Sequence, residues 1–157
     1  MTASGVWFGT SKFSSASAFA YINLRLTTTS VPQSATTDLA WALINNGYIS
    51  IGTTIITLPT IGTYIVGGKV NCTSSSVTAG SVQTMFATST NGGSTWSFLN
   101  YGMCVAGGGD IPIYGFITTT VANQQCKICL FNGFTSAVTV SATYTNSFCY
   151  IHKVSPS

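Results

Sequence analysis

Charge is what this sequence has least of. Among 157 residues, only Lys12, Arg25, Lys69, Lys127 and Lys153 are basic and only Asp38 and Asp110 acidic; there is no Glu, and His152 is the single His. Charged residues make up 4% of the chain, against about a quarter in ordinary soluble domains. Paired-carboxylate chemistry has almost nothing to work with. A nucleophile and base would have to use His152, whose neighbour Cys149 points to the other face of the same strand, so no enzymatic role is expected. The cations are scattered, with no two adjacent and no basic arm. Nucleic-acid binding needs clustered Lys and Arg to neutralise phosphates, so none is expected. The lysines read as ordinary solvated ones.

Long apolar runs are also missing. The oiliest stretch, Tyr48 to Val66, is broken by Ser50, Gly52, Thr53, Thr54, Thr57, Pro59, Thr60, Gly62 and Thr63, and a membrane helix needs about 18 consecutive apolar residues. No membrane insertion is expected. The first residues, Met1 to Phe8, have neither the basic nor the apolar region of a secretion leader. The five cysteines, Cys72, Cys104, Cys126, Cys129 and Cys149, form an odd set without the spacing of a disulfide scaffold. In a strand, Cys126 and Cys129 point to opposite faces, so the pair reads as small packing residues in a reducing compartment rather than a zinc site. No metal and no cofactor are expected. Ala106 to Asp110 holds three consecutive glycines but no helix pattern or Lys-Ser/Thr pair follows, so it reads as a mobile loop and not a phosphate cradle. Asn71-Cys72-Thr73 is the one glycosylation sequon and is expected to be unmodified.

What is present points to a folded β-protein. Hydrophobic residues make up 45% of the chain, with nine Phe, seven Tyr and three Trp, too many aromatics for disorder. No stretch of a dozen residues holds a helical period, and Gly and Pro punctuate short runs of period two. The alternation predicts strands at Phe19 to Leu26, Trp41 to Ile44, Tyr48 to Ile51, Ile55 to Leu58, Thr63 to Cys72 and Val82 to Ala87. It continues with Trp96 to Tyr101, Ile113 to Val121, Gln125 to Phe131, Val138 to Tyr144 and Phe148 to Val154. Thr27 to Thr37 reads as a loop, and Asn45-Asn46-Gly47, Asn91-Gly92-Gly93 and Asn132-Gly133 as turns. In Thr63 to Cys72, the set Tyr64, Val66, Gly68, Val70 and Cys72 is assigned to the core. A single domain over residues 16–157 follows, with residues 1–15 as an attachment segment or edge strand. In the last strand, Phe148, Tyr150, His152 and Val154 lie on one side and Cys149, Ile151 and Lys153 on the other. Both sides are partly apolar, so both should be covered, one of them by another subunit.

The run Ile55 to Val66, with Gly62-Thr63-Tyr64-Ile65-Val66 as a "G-x-Y-x-V" strand, and the later Asn91-Gly92 hairpin resemble the tumour-necrosis-factor and complement globular-head superfamily. Gln125 to Phe131 falls at a regular alternating strand of that pattern, and Ser147 to Ile151 at its Phe-bearing end; the resemblance covers about residues 16–154. It implies a ten-stranded jelly-roll β-sandwich that assembles as a homotrimer. The acidic residues that hold calcium in some globular heads have no counterpart here.

Combining low charge, two-sided strands and this resemblance, the expected function is a trimeric virion surface protein: a spike, fibre head or capsid-decorating subunit that contacts other virion proteins and a host receptor. It would assemble in the host cytoplasm. The alternative is a soluble glycan-binding or complement-head-like recognition module. The expected trimer interface comprises Phe131, Tyr150, Ile151 and His152, where His152 would make assembly sensitive to pH. The expected receptor or glycan loops carry Asn91, Trp96, Asn100, Tyr101 and Tyr114.

Overall fold

Period-two alternation turns one row of each strand inward, and two sheets close over those rows. The computed structural model describes residues 7–8, 11–12, 20–73, 81–105, 109–143 and 145–154, and among them all regular structure is strand. β1 (Trp7–Phe8) and β2 (Ser11–Lys12) pair only with each other. The expected domain boundary after residue 15 lies outside the described residues.

The seven-stranded sheet contains β3 (Tyr21–Leu26), β4 (Ser30–Val31), β6 (Trp41–Gly47), β9 (Gly62–Thr73), β12 (Gly109–Thr119), β14 (Val138–Val140) and β15 (Phe148–Lys153). Its main path runs β12, β9, β15, β3, β6, with β14 and β4 attached beside the far end of β9. The six-stranded sheet runs β11 (Ser97–Val105), β10 (Ser81–Ser89), β13 (Gln124–Asn132), β8 (Ile55–Leu58), β7 (Ser50–Ile51), with β5 (Ala35–Asp38) also on β13. Every pairing is antiparallel. Ten strands make the jelly roll, and the short β4, β5 and β14 extend its margins.

The core is the set of inward rows: Ile22, Leu24 and Leu26 of β3, Tyr64, Val66, Val70 and Cys72 of β9, Ile111, Ile113 and Ile117 of β12, Cys149 and Ile151 of β15, with Phe86, Ile128 and Leu130 from the opposite sheet. Tyr64 is fully buried because its hydroxyl donates to the Thr60 carbonyl at 2.9 Å, which satisfies its polar tip. Asn132 is buried too. Its amide donates to the carbonyls of Val31, Pro32 and Ser136 and its oxygen accepts from the Phe134 amide, which ties three chain segments together.

Several sequence expectations need correction. Asn45-Asn46-Gly47 is not a turn but the end of β6: the Asn23 amide donates to Asn45 Oδ1 across the ladder at 2.6 Å, and Tyr48, with φ of 67°, starts the reversal. The Thr27 to Thr37 loop contains β4 and most of β5, edge strands whose Ser/Thr content hides them. Gly109 and Asp110 belong to β12, which ends at Thr119; Ala106 to Gly108 lie outside the described residues. The strand expected to reach Tyr144 stops at Val140, and Tyr144 itself is outside the described set. Nor are the lysines ordinary solvated ones. Lys69 pairs with Asp110 at 2.7 Å, Lys127 with Asp38 at 2.8 Å, and Lys153 is buried.

Candidate binding surfaces

The outward face of the seven-stranded sheet is built from the residues that alternate with the core rows. Strand register aligns them into rows across the sheet. One row is Phe116, Ile65, His152, Tyr21 and Gly47; the next is Tyr114, Gly67, Tyr150, Asn23 and Asn45; a third is Pro112, Lys69, Phe148 and Arg25. Tyr114 is 64% exposed and Phe116 54% exposed. Ile65, Phe148 and Tyr150 are half-buried, and Tyr21 is exposed. The result is an aromatic face on the side of this sheet turned away from the core.

Local sequence sets how the rings lie. Gly67 has no side chain, and a Cβ there would overlap the Tyr150 ring, so Tyr150 lies down across the sheet instead of standing up. Tyr21 covers Gly47 in the same way. His152 sits between them, 5.4 Å from the Tyr150 ring centroid and 6.0 Å, edge-on, from that of Tyr21. The polar groups of the face are Asn23, Asn45 and Arg25 on β3 and β6 and, at the other side, Asp110, whose Oδ2 accepts from Lys69 Nζ and Oδ1 from the Asn71 amide, each at 2.7 Å. Those two hydrogen bonds hold the Asp110 carboxyl below its ordinary range.

The outward face of the six-stranded sheet is different. Lys127 Nζ lies 4.5 Å from the Trp96 ring centroid and 6.0 Å from that of Phe98 while bonding Asp38 Oδ2. The other oxygen of Asp38 accepts from Cys129 Sγ at 3.1 Å. Burial, then the Asp38 carboxylate, push the Cys129 thiol up to about 12; burial alone does the same to Cys126. Neither is a nucleophile at neutral pH. Among the described residues, no three His, Cys or Asp side chains converge as a metal site requires.

The residues proposed from sequence scatter over these surfaces. Tyr150 and His152 lie together on the aromatic face. Ile151 does not join them: it is 0% exposed, in the core, because it alternates with them along β15. Phe131 is half-buried on the opposite sheet, paired with Gln83 and Thr36, so it cannot share one patch with Tyr150. Tyr114 is on the aromatic face rather than near a loop. Trp96 has one ring face taken by Lys127. Asn91 is exposed, but its side chain is spent on its own turn, bonding Ser89 Oγ, Thr95 N and Thr95 Oγ1. Asn100 lies in β11 opposite Met85, and the side chains of Asn100 and Tyr101 are outside the described set. Sequence reasoning missed Tyr21, Ile65 and Phe116. The signal was there in Ile111-Pro112-Ile113-Tyr114-Gly115-Phe116-Ile117, whose isoleucines take alternate positions and leave both aromatics on the other side.

No family model matches the chain, and no curated protein does. Solved structures do. Murine APRIL at pH 8.0 superposes with a TM-score of 0.66 at 10% identity, over 87% of this chain and 99% of that one. Murine APRIL at pH 5.0 gives 0.65 at 9%, over the same shares. The Eiger TNF of S. frugiperda gives 0.66 at 11%, over 88% and 94%. At such identities the likeness is one of fold: this chain has the jelly-roll sandwich of the tumour-necrosis-factor type.

Proposed function

We propose that the chain is the subunit of a homotrimeric recognition head, in which the aromatic face of each seven-stranded sheet is covered by a neighbouring copy and the remaining surface binds a receptor. The observation that carries this is the exposed pair Tyr114 and Phe116, continuous with Ile65, Tyr21 and Tyr150 across three further strands. Contiguous apolar surface of this kind marks an interaction site. A second copy suits it because the one carboxylate on the face, Asp110, is already paired with Lys69, which leaves Arg25 as the charge a covering copy must accommodate. The family resemblance in the sequence and the jelly-roll fold support a threefold arrangement.

At a finer level we place this head on a particle surface, as a virion knob that attaches to a host. The support is compositional: few charges, a Ser/Thr-rich exterior and no catalytic or nucleic-acid chemistry in the sequence. Light scattering tests the assembly: the expected mass is three times the 16.4 kDa subunit, and Phe116→Asp should reduce it to one. A wild-type monomer at micromolar concentration overturns the trimer. Antibody labelling of intact particles tests the placement separately, and its absence from the particle surface overturns that alone.

A further inference from the structure

Three Asn-Gly steps occur in the chain, Asn46-Gly47, Asn91-Gly92 and Asn132-Gly133. At such a step a backbone nitrogen closes a five-membered ring on the preceding side-chain amide with least obstruction, since glycine carries no Cβ. The fold treats the three differently. Asn132 is 0% exposed, its side chain makes four hydrogen bonds, and the Gly133 N–H donates to the Ser81 carbonyl at 2.8 Å. Asn46 lies in β6 with its amide donating to the Ile49 carbonyl at 2.7 Å, and Gly47 is held in the ladder opposite Tyr21, whose ring covers it. Both are closed to the reaction.

The Asn91-Gly92 step, in the turn between β10 and β11, is open. Both residues are exposed, Gly92 has free space where a Cβ would stand, and among the described residues nothing accepts a hydrogen bond from its N–H. The nucleophile is therefore unhindered. The amide it attacks is oriented at the same time: Asn91 Oδ1 accepts from Ser89 Oγ at 2.8 Å and from the Thr95 N–H at 3.0 Å, while Nδ2 donates to Thr95 Oγ1 at 2.9 Å. The two donors on Oδ1 stand where negative charge gathers once a nitrogen adds to Cγ, an arrangement that stabilises a tetrahedral intermediate.

We propose that Asn91 is a self-modification site, at which the Gly92 nitrogen displaces the side-chain amide and the resulting succinimide opens in water. The Gly92 nitrogen loses its proton to hydroxide and bonds to Asn91 Cγ; the Cγ–Nδ2 bond breaks, and the nitrogen leaves as ammonia with a proton from water. Water then adds to either carbonyl of the ring, giving aspartate or its β-linked isomer, isoaspartate. The step lies within one turn of one subunit and does not depend on the trimer. It adds a third side-chain carboxylate to a chain that has two, and lowers the net charge of +3 by one.

The test is incubation of the full chain at pH 8, native and in urea, with peptide mass mapping of each Asn-Gly step and isoaspartate counted by enzymatic methyl transfer. The expected result is conversion at Asn91 within a few-fold of its rate in the unfolded chain. Asn46 and Asn132 should convert more than about tenfold slower native than unfolded, because a closed site reacts only through its openings. Gly92→Ala keeps the Asn91 amide and crowds the attacking nitrogen, so it should slow that conversion severalfold. An Asn91 rate slowed by folding as much as those of Asn46 and Asn132 overturns the site, and this comparison needs no variant to fold. An unchanged rate in folded Gly92→Ala overturns the ring closure.

Discussion

Lys153 has a buried stem and no described side-chain carboxylate for its ammonium, which bonds Thr60 Oγ1 and is partly desolvated, an arrangement that costs stability. Its pKa is lowered from 10.5 by desolvation, so between the lowered native value and 10.5 the unfolded chain holds more protons than the folded one. Stability therefore rises with pH through that window. In chloride buffer at neutral pH, Lys153→Met should unfold at higher denaturant than wild type and show less of this rise; equal midpoints would contradict the buried-charge account. The thiols make a second prediction. Cys72, Cys126, Cys129 and Cys149 are buried, and burial raises the pKa of the last three, so all four should resist a thiol reagent at pH 8 in native protein and react in denaturant. Part of this was legible. Alternation put Lys153 on the side of Cys149 and Ile151, although the lysines as a group read as solvated. What periodicity could not show is that Lys69 and Lys127 find Asp110 and Asp38, because those pairs are 41 and 89 residues apart in sequence.

At the scale of elements, β9 and β13 carry the sheets. Gly68 in β9 has φ of 144°, and a Cβ there would collide with the Phe148 carbonyl of β15. Gly68→Ala should cost about 1–3 kcal/mol from backbone strain alone, read as a lower urea midpoint, whereas Gly92→Ala, in open space at a turn with φ of 67°, should cost less. The end of β13 depends on Asn132, whose side chain makes four hydrogen bonds to backbone groups of two segments, at Val31 and Pro32 and at Phe134 and Ser136. Removing it leaves buried carbonyls and an amide unpaired at about 1–3 kcal/mol each, so Asn132→Ala should cost more than any surface Asn→Ala, with Asn91→Ala as comparison. The long central strands were readable because their inner rows are uniformly apolar. β4 and β5 were not, since Ser, Thr and Ala side chains at a sheet margin carry no hydrophobic period; they exist through partners, β14 and β13, far along the chain. The Asn45-Asn46-Gly47 turn failed for a related reason: turn chemistry is local, and a cross-strand amide pair with Asn23 overrode it.

For the whole molecule, the jelly roll follows from a succession of short alternating segments, while the division of their outer faces does not. Sequence alone assigned Phe131, Tyr150, Ile151 and His152 to one interface; the pleat sends Ile151 inward, Phe131 lies on the opposite sheet, and Tyr114 and Phe116 come beside Tyr150 instead. If a second copy covers that face, Tyr150→Asn should dissociate the trimer, because each subunit then buries an amide without a partner at about 1–3 kcal/mol. A proton on His152 would oppose such an interface. His152 lies between Tyr21 and Tyr150, across the ladder from Ile65, and the other charged groups on this face are Arg25 and the Lys69–Asp110 pair, two rows or more along the strands. Imidazoles as a class gain a proton between about pH 8 and 5. A covered aromatic face disfavours that charge, so the assembled form binds fewer protons than the separated subunits and is stabilised as pH rises. Light scattering from pH 8 to 5 should show mass falling toward the subunit value in wild type, and His152→Gln, which stays neutral, should hold its mass across the range. A wild-type profile as flat as that of the variant would remove His152 from the interface.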